Sequence, residues 1–265
     1  MVMSRRRSRL PVVIREALVS HFVAGTPART AAQLVGVNRH SATLFYLKLR
    51  ELIATHLANQ ASELLAGEVE VDESYFGGHR KGKRGRGARG KVPVFGLLKR
   101  GGKVHAFVIP NAAGKTLMPL MQRTIKPDAV IYTDSFSAYD MLDVSEFRHK
   151  RINHRKRFAD GGNHINGIEN FWNQAKRHLR RYNGIPRHHF HLYLKECEWR
   201  FNHRPASRLL EMLRGWLELP SAKLAAGPAV WISGLPAPGS ERPLRQATYP
   251  HSNKRNPKPD PAKQP

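Results

Sequence analysis

Apolar positions along this chain change their period several times, and the changes mark its segments. From residue 11 to 58 the spacing is helical. Leu18, Val19 and Phe22 recur every three to four positions, and Gly25-Thr26-Pro27 ends that run. The stretch from Pro27 to Tyr46 then predicts two helices about a tight turn. Ala31, Ala32 and Leu34 form the apolar side of the first helix. Gly36 permits the turn, Val37 fills the core and Asn38 caps the second helix. In that second helix Ala42, Phe45, Tyr46 and Leu49 face inward, leaving Arg39, His40 and Thr43 outward. The pattern is that of a helix-turn-helix.

Over residues 67–76 the period drops to two, with Val69 and Val71 on one face of a strand and Glu70 and Asp72 on the other. Residues 92–98 and 104–109 flank Arg100-Gly101-Gly102-Lys103 and predict a hairpin. A short amphipathic helix follows over 116–125. Ala129 to Tyr132 is a short buried-type strand ending at Thr133-Asp134, and another helix starts at Ser137. Residues 161–182 and 187–202 are helical. This order predicts a mixed α/β domain over 67–204, preceded by a small all-α helix-turn-helix domain over 11–58. Residues 205–232 read as a helical extension. Residues 233–265 hold eight prolines and few apolar side chains, which predicts a disordered basic tail. The segment 77–91 carries seven Lys or Arg and no acid, and so reads as a mobile basic loop.

Charge changes the picture from fold to partner. The 265 residues include 45 Lys and Arg against 20 Asp and Glu, a formal net charge of +25. Such a field attracts phosphate backbones, with generic RNA binding as the plainer alternative to DNA. The candidate DNA contacts are Arg39, His40 and Thr43, if their helix enters a major groove. The basic loop adds Arg80, Lys81, Lys83, Arg84, Arg86 and Arg89, and the 161–182 helix adds Arg177, Arg180 and Arg181. No apolar run approaches the roughly 20 residues of a membrane span, and the basic residues 1–9 precede nothing long enough for a signal core. A cytoplasmic, nucleoid-associated protein is expected. The single cysteine, Cys197, excludes an internal disulfide and a cysteine zinc ribbon, and its helical setting suggests a buried thiol. The histidines, including His188, His189 and His191, show no four-ligand zinc pattern.

Three acids then stand out. Asp72 follows a β-type run in Glu-Val-Glu-Val-Asp-Glu-Ser-Tyr-Phe-Gly-Gly. Asp134 ends Ala-Val-Ile-Tyr-Thr-Asp, and Glu169 lies on a helix in Asn-Gly-Ile-Glu-Asn-Phe-Trp-Asn-Gln-Ala-Lys. Carboxylates at strand ends with a third on a helix docked beside them make a hard-oxygen cage for magnesium. Two such ions about 4 Å apart serve an in-line phosphoryl displacement. On the helix, Trp172, Asn173 and Lys176 share a face with Glu169. The stripe Ile168, Phe171, Trp172, Ala175 and Leu179 runs beside it, so Glu169 falls at the edge of the docking surface. Lys176 could grip a phosphate. Each acid also has a plain reading. Asp134 reads as a turn residue and Glu169 as a solvated one, while Glu70 and Glu73 around Asp72 could be surface charges.

Taken together, the motifs Val-Asp-Glu-Ser-Tyr-Phe-Gly-Gly, Tyr-Thr-Asp-Ser-Phe-Ser-Ala-Tyr and His-Ile-Asn-Gly-Ile-Glu-Asn-Phe-Trp-Asn-Gln-Ala-Lys-Arg closely resemble the ISXO-like transposases of bacterial insertion sequences, relatives of the Merlin elements. Trp199-Arg-Phe-Asn-His-Arg resembles that family's closing motif. The resemblance covers roughly residues 67–204. It implies an RNase H-like domain with a DDE triad of Asp72, Asp134 and Glu169, which would hold two Mg²⁺ or Mn²⁺ ions. Lys176 falls where the family often has a lysine. The implied reaction is cleavage at terminal inverted repeats and joining of the freed 3′-hydroxyl to target DNA, by a homodimer or higher oligomer on double-stranded DNA. A nuclease without strand transfer and a domesticated DNA-binding regulator are the alternatives. Many relatives carry an N-terminal cysteine zinc ribbon, which these residues lack.

Overall fold

The computed structural model describes residues 10–60, 64–77, 90–134, 137–152, 164–182 and 184–219. The basic-loop residues Arg80, Lys81, Lys83, Arg84, Arg86 and Arg89 and the tail 233–265 lie outside the described residues.

Three helices come first: α1 (Val12–Val23), α2 (Ala28–Val35) and α3 (Arg39–Gln60). Pro11 and Pro27 precede α1 and α2, where a missing amide hydrogen costs no helix bond. Gly36 ends α2 in the left-handed conformation (φ 73°), which a side chain would strain. The Asn38 Oδ1 accepts from the His40 amide at 2.8 Å, as its expected capping role requires. One detail differs from expectation: Leu34 is 66% exposed. The inward side of α2 is formed by Ala28, Ala31, Ala32 and Val35, and Leu34 lies roughly 110° around the helix from its centre.

The sheet is mixed, in the order β3-β2-β1-β4-β5. Its strands are β1 (Glu68–Phe76), β2 (Val92–Lys99), β3 (Val104–Val108), β4 (Val130–Thr133) and β5 (Arg148–Arg151). β2 runs antiparallel to both β1 and β3, while β4 and β5 run parallel to β1. Strand order and directions make this an α/β fold of the RNase H-like type. α4 (Gly114–Thr124) and a 3₁₀ turn (Ser137–Val144) cover one face, joining Val69, Val71, Phe95, Leu97 and Ile131 in a core. α5 (Asn166–Leu179) and α6 (Phe190–Asn202) cover the other, over Phe76, Val94, Leu98 and Tyr132. β1 is therefore buried on both faces. Glu70 and Glu73, readable as surface charges, are 1% and 6% exposed.

Close approach of α5 depends on one missing side chain. Gly96 of β2 stands opposite Asp72 of β1. A Cβ there would lie 2.6 Å from Trp172 and 2.8 Å from Ile168. α6 in turn closes the outer edge of β3. The Asn202 side chain accepts from the Val104 amide and donates to its carbonyl, both at 2.9 Å, and Glu198 accepts from the Ala106 amide at 3.0 Å. Edge groups that could template another strand are thus satisfied within the chain.

The N-terminal helices share an apolar cluster with Trp199 of α6 and with Leu209 and Leu213 of α7 (Ala206–Trp216). Beside it lies a buried charged cluster. Glu196 is fully buried and accepts from Arg50 at 2.7 Å and Arg200 at 2.8 Å, with His178 at 2.9 Å. Arg200 also donates to the Phe22 and Val23 carbonyls at 2.6 and 2.9 Å. The Arg50 guanidinium stacks 3.9 Å from the Tyr193 ring centre. Burial pushes the Glu196 carboxyl up, but Arg50, Arg200 and His178 outweigh it and hold the group well below the ordinary range.

Two outcomes are expected. Gly96→Val should cost about 1–3 kcal/mol in a denaturant titration, because the methyl groups would displace Trp172 and Ile168. Glu196→Ala should cost ~3–5 kcal/mol at pH 7, since it strands the buried Arg50 guanidinium and removes the carboxylate partner of Arg200. The lowered carboxyl stabilises the fold above its unfolded pKa near 4.5, and that contribution is lost as pH falls toward the folded value. The difference between wild type and variant should therefore shrink on acidification.

Candidate active site

Asp72 and Asp134 meet because β1 outlasts β4. The parallel pairing aligns Glu70 with Tyr132, so continuing the register two residues sets Asp72 beside Asp134, just past the end of β4. Asp72 is not at a strand end, where the metal-cage reading set it, although the alternation over 67–76 already ran past it. It lies mid-strand, because β1 continues to pair with β2 as far as Phe76 opposite Val92. Carboxylate oxygens of Asp72, Glu73 and Asp134 all lie within 4.8 Å of one another. Glu169 is outside that set but close enough for its charge to act on Asp72.

Desolvation, then the charges of Glu73 and Asp134 and to a lesser extent Glu169, push the Asp72 carboxyl up to about 8. Such crowding of like charge is the environment in which a cation replaces protons. The donors are all carboxylate oxygens, which suits a hard divalent ion such as Mg²⁺ or Mn²⁺ and not a thiol- or imidazole-selective one.

Neighbouring groups fix these acids in place. Glu73 accepts from the buried Tyr139 hydroxyl at 2.9 Å, tying β1 to the 3₁₀ turn that follows Asp134. Burial and the charges of Glu73 and Asp72 raise the Tyr139 hydroxyl well above its ordinary value, so it stays a donor. Thr133, fully buried, donates to the Asp134 carbonyl at 2.8 Å. With that hydrogen committed, His149 Nε2, also at 2.8 Å, serves as donor to the hydroxyl.

Glu70 sets the start of α5. Its Oε2 accepts from the Ile168 amide at 2.9 Å, and its Oε1 accepts from Arg100 at 3.1 Å. A buried carboxylate from β1 thus caps the helix that carries Glu169, with the favourable sign for a helix N-terminus. Gly167 leaves the room, since a Cβ there would lie 2.8 Å from Glu70 Oε2. Glu169 and Lys176 are both exposed and lie on the same flank of the buried stripe Ile168, Phe171, Trp172, Ala175 and Leu179. The Lys176 Nζ sits 5.9 Å from the ring centre of Phe76, on the sheet face that carries Asp72.

The candidate DNA contacts divide. Arg39, His40 and Thr43 are exposed at the start of α3, with the Thr43 hydroxyl bonded back to the Arg39 carbonyl at 2.9 Å. Arg177 and Arg180 are exposed on and just after α5. Arg181 is different, because it donates to the Gly25 carbonyl and so joins the end of α5 to the end of α1. Cys197 is buried, and its thiol is pushed far up by desolvation and by Glu196. Glu70, Glu73, Tyr139 and Gly96 were not legible as site residues. The adjacency of Glu70 and Glu73 to Asp72 was the available signal, but acids beside a strand carboxylate read equally well as surface charges, even though period two sets Glu73 on the face of Val69 and Val71.

Residues 64–202 match the family described as the ISXO2-like transposase domain. An uncharacterized transposase-like protein of Haemophilus influenzae is 55% identical over 112 residues, which is 42% of this chain and 91% of that protein. An uncharacterized protein in the transposable element ISH50 of Halobacterium salinarum is 30% identical over 154 residues, 51% of this chain and 52% of that protein. Among solved structures, the Mos1 strand transfer complex is similar at a TM-score of 0.33 and 11% identity, covering 82% of this chain and 78% of that one. The simian T-cell lymphotropic virus intasome in complex with PP2A regulatory subunit B56 gamma gives 0.36 and 13%, over 71% and 69%. The family match alone spans more than half of the 265 residues, and the chain belongs to the ISXO2-like transposase family.

Proposed function

We propose that the protein cleaves DNA at terminal inverted repeats and joins the freed 3′-hydroxyl to target DNA, with Asp72, Asp134 and Glu169 as the catalytic carboxylates. The observation that carries this reading is the convergence of Asp72, Glu73 and Asp134 oxygens within 4.8 Å, beside the helix that bears Glu169. Asp72, Asp134 and Glu169 would hold two Mg²⁺ or Mn²⁺ ions. Such ions supply Lewis-acid stabilisation of the attacking and leaving oxygens of an in-line phosphoryl displacement. Glu73, held by Tyr139, keeps the site electronegative and orients its neighbour.

Lys176 lies on the Glu169 flank of α5, where its ammonium contacts a non-bridging phosphate oxygen. Arg177 and Arg180 extend that cationic track. Arg39, His40 and Thr43 at the start of α3 recognise the transposon end, and the basic loop residues 80–89 add phosphate contacts. Two ends have to be brought together, so a dimer or higher assembly on DNA is part of the reading. Arg181, engaged with Gly25, acts through the fold instead of on DNA.

The test uses a duplex carrying the inverted repeat that flanks the gene, with a supercoiled target and Mg²⁺. Joined products support transposition, and cleavage without joining would reduce the activity to that of a nuclease. Asp134→Asn should lower cleavage at least ~10³-fold while leaving DNA affinity equal or higher; cleavage that survives this change refutes the carboxylate assignment. A second expectation concerns metal-free protein. The raised Asp72 carboxyl makes the folded state hold its proton more tightly than the unfolded state does. Stability therefore falls as pH rises from about 4 to about 8. In EDTA at pH 8, Asp72→Asn should melt higher than wild type, by about 2–4 °C for each kcal/mol of repulsion removed. Mg²⁺ should raise the wild-type Tm and leave that of the variant nearly unchanged.

A further inference from the structure

β5 is a strand built almost entirely of cations, Arg148-His149-Lys150-Arg151, at the edge of the sheet next to the strand that leads into Asp134. The parallel ladder pairs Arg148 with Val130 and Lys150 with Tyr132. Residues paired in register project to the same face, so Arg148 and Lys150 lie on the face of Val130 and Tyr132. That is also the face of Asp72 and of the continuation to Asp134. Ladder spacing sets Lys150 about 8 Å from Asp134: two residues along at ~3.3 Å each and one strand across at ~4.8 Å. A DNA strand covers that distance in about two nucleotides, at ~3.4 Å of rise each.

The local packing keeps these charges facing outward. α5 packs on β1 and β2, and Arg148 and Lys150 are exposed. Tyr132, only 3% exposed, is covered by cations, with Arg100 at 3.7 Å and Lys150 at 5.5 Å from its ring centre. Its hydroxyl donates to Glu68 at 2.5 Å. Arg100 is committed to Glu70 and Glu68 at 3.1 and 3.6 Å, and Arg151 to Asp140 at 2.8 Å. The side chains of Arg148 and Lys150 therefore carry the outward charge on this face of β5. An edge strand is often blunted by lysine to prevent strand addition. That role would be met by cations on either face. Here the two stand on the side of the acids.

We propose that the β5 edge, through Arg148 and Lys150, is a sequence-independent contact for the phosphate backbone of DNA, about two nucleotides from the phosphate that reacts at Asp72 and Asp134. The proposal rests on the reading of DNA as the substrate. The backbone belongs to the transposon end or to the target, and the two arms of the experiment separate these sources.

The test compares wild type with Arg148→Glu/Lys150→Glu and with the milder Arg148→Gln/Lys150→Gln, both checked for unchanged melting. Binding is measured by salt titration on a terminal-repeat duplex and on an unrelated duplex. Strand transfer is measured with a pre-cleaved end and a plasmid target. Each lost phosphate contact should lower the slope of log Kobs against log salt by ~0.9, so by about 1–2 for the pair. Affinity at low salt should fall about tenfold or more, further for the glutamates than the glutamines. A loss on the terminal-repeat duplex assigns the surface to the end. A loss seen only as lower transfer from a pre-cleaved end assigns it to the target. Folded variants with wild-type slope, affinity and transfer overturn the proposal and leave β5 as edge protection only. A wild-type chain that binds neither duplex overturns the functional reading as well.

Discussion

A carboxylate without solvent contact stands between two guanidiniums and an imidazole, and the relation between the two ends of the described chain depends on it. Glu196 projects from α6 and draws in Arg50 from α3, His178 from α5 and Arg200 from its own helix. Arg200 then reaches the Phe22 and Val23 carbonyls at the end of α1, and Arg181 reaches the carbonyl of Gly25, two residues past the helix. Helix ends leave carbonyls short of donors; the Phe22 carbonyl also accepts the Gly25 amide at 2.9 Å, and the arginines add charged donors at Phe22, Val23 and Gly25. The arrangement fixes geometry and also stabilises the fold, because the attraction of Arg50, Arg200 and His178 exceeds the desolvation penalty of the Glu196 carboxylate. With α3 locked to α6 and α6 locked along the β3 edge, the exposed start of α3 holds a fixed position relative to the sheet.

A second constraint acts at the acids. Four carboxylates, from Glu70, Asp72, Glu73 and Asp134, are concentrated on and beside β1. The fold separates their tasks by face and partner. Glu70 is neutralised by Arg100 and by the α5 amide, which anchors the helix bearing Glu169. Glu73 is held by a phenol on the opposite face. Asp72 is left with burial and like charge, which raise its pKa to about 8. One strand therefore supplies a helix cap, a carboxylate held by a phenol and a carboxyl raised by burial and like charge, all within four consecutive residues. Gly96, directly across from Asp72, lets Trp172 and Ile168 close over the ladder, so helix docking and site geometry are the same event.

Much of this was legible in the chain. The helical periods of α1 to α3 and the Gly36 turn were read from spacing, as were the β2–β3 hairpin and the apolar stripe of α5, because each is set by local repeats of apolar residues. β5 was not legible. Four consecutive basic residues carry no alternation, and the strand exists only because its backbone finds a parallel partner in β4. Leu34 misled for a related reason: five apolar residues spread around an eight-residue helix do not define a face until a neighbour chooses one. The strand over 67–76 was legible, but describing Asp72 as a strand-end residue was not right, because a strand's end is decided by its partners. β2 keeps pairing after β4 has stopped.

Residue types and their spacing by themselves determined the class of fold and the three motifs, and a net charge of +25 set the expectation of a polyanionic partner. These follow from local periodicity and from summed charge, neither of which needs coordinates. Tertiary structure alone decided which acids share a point, since register between β1 and β4 brings residues 62 positions apart into line. It also decided which cations remain outward. Arg50, Arg100, Arg181 and Arg200 look no different in sequence from Arg39, Lys150 or Arg177. A bond to a carboxylate or to a helix-end carbonyl turns the first group into parts of the fold, while the second group faces solvent.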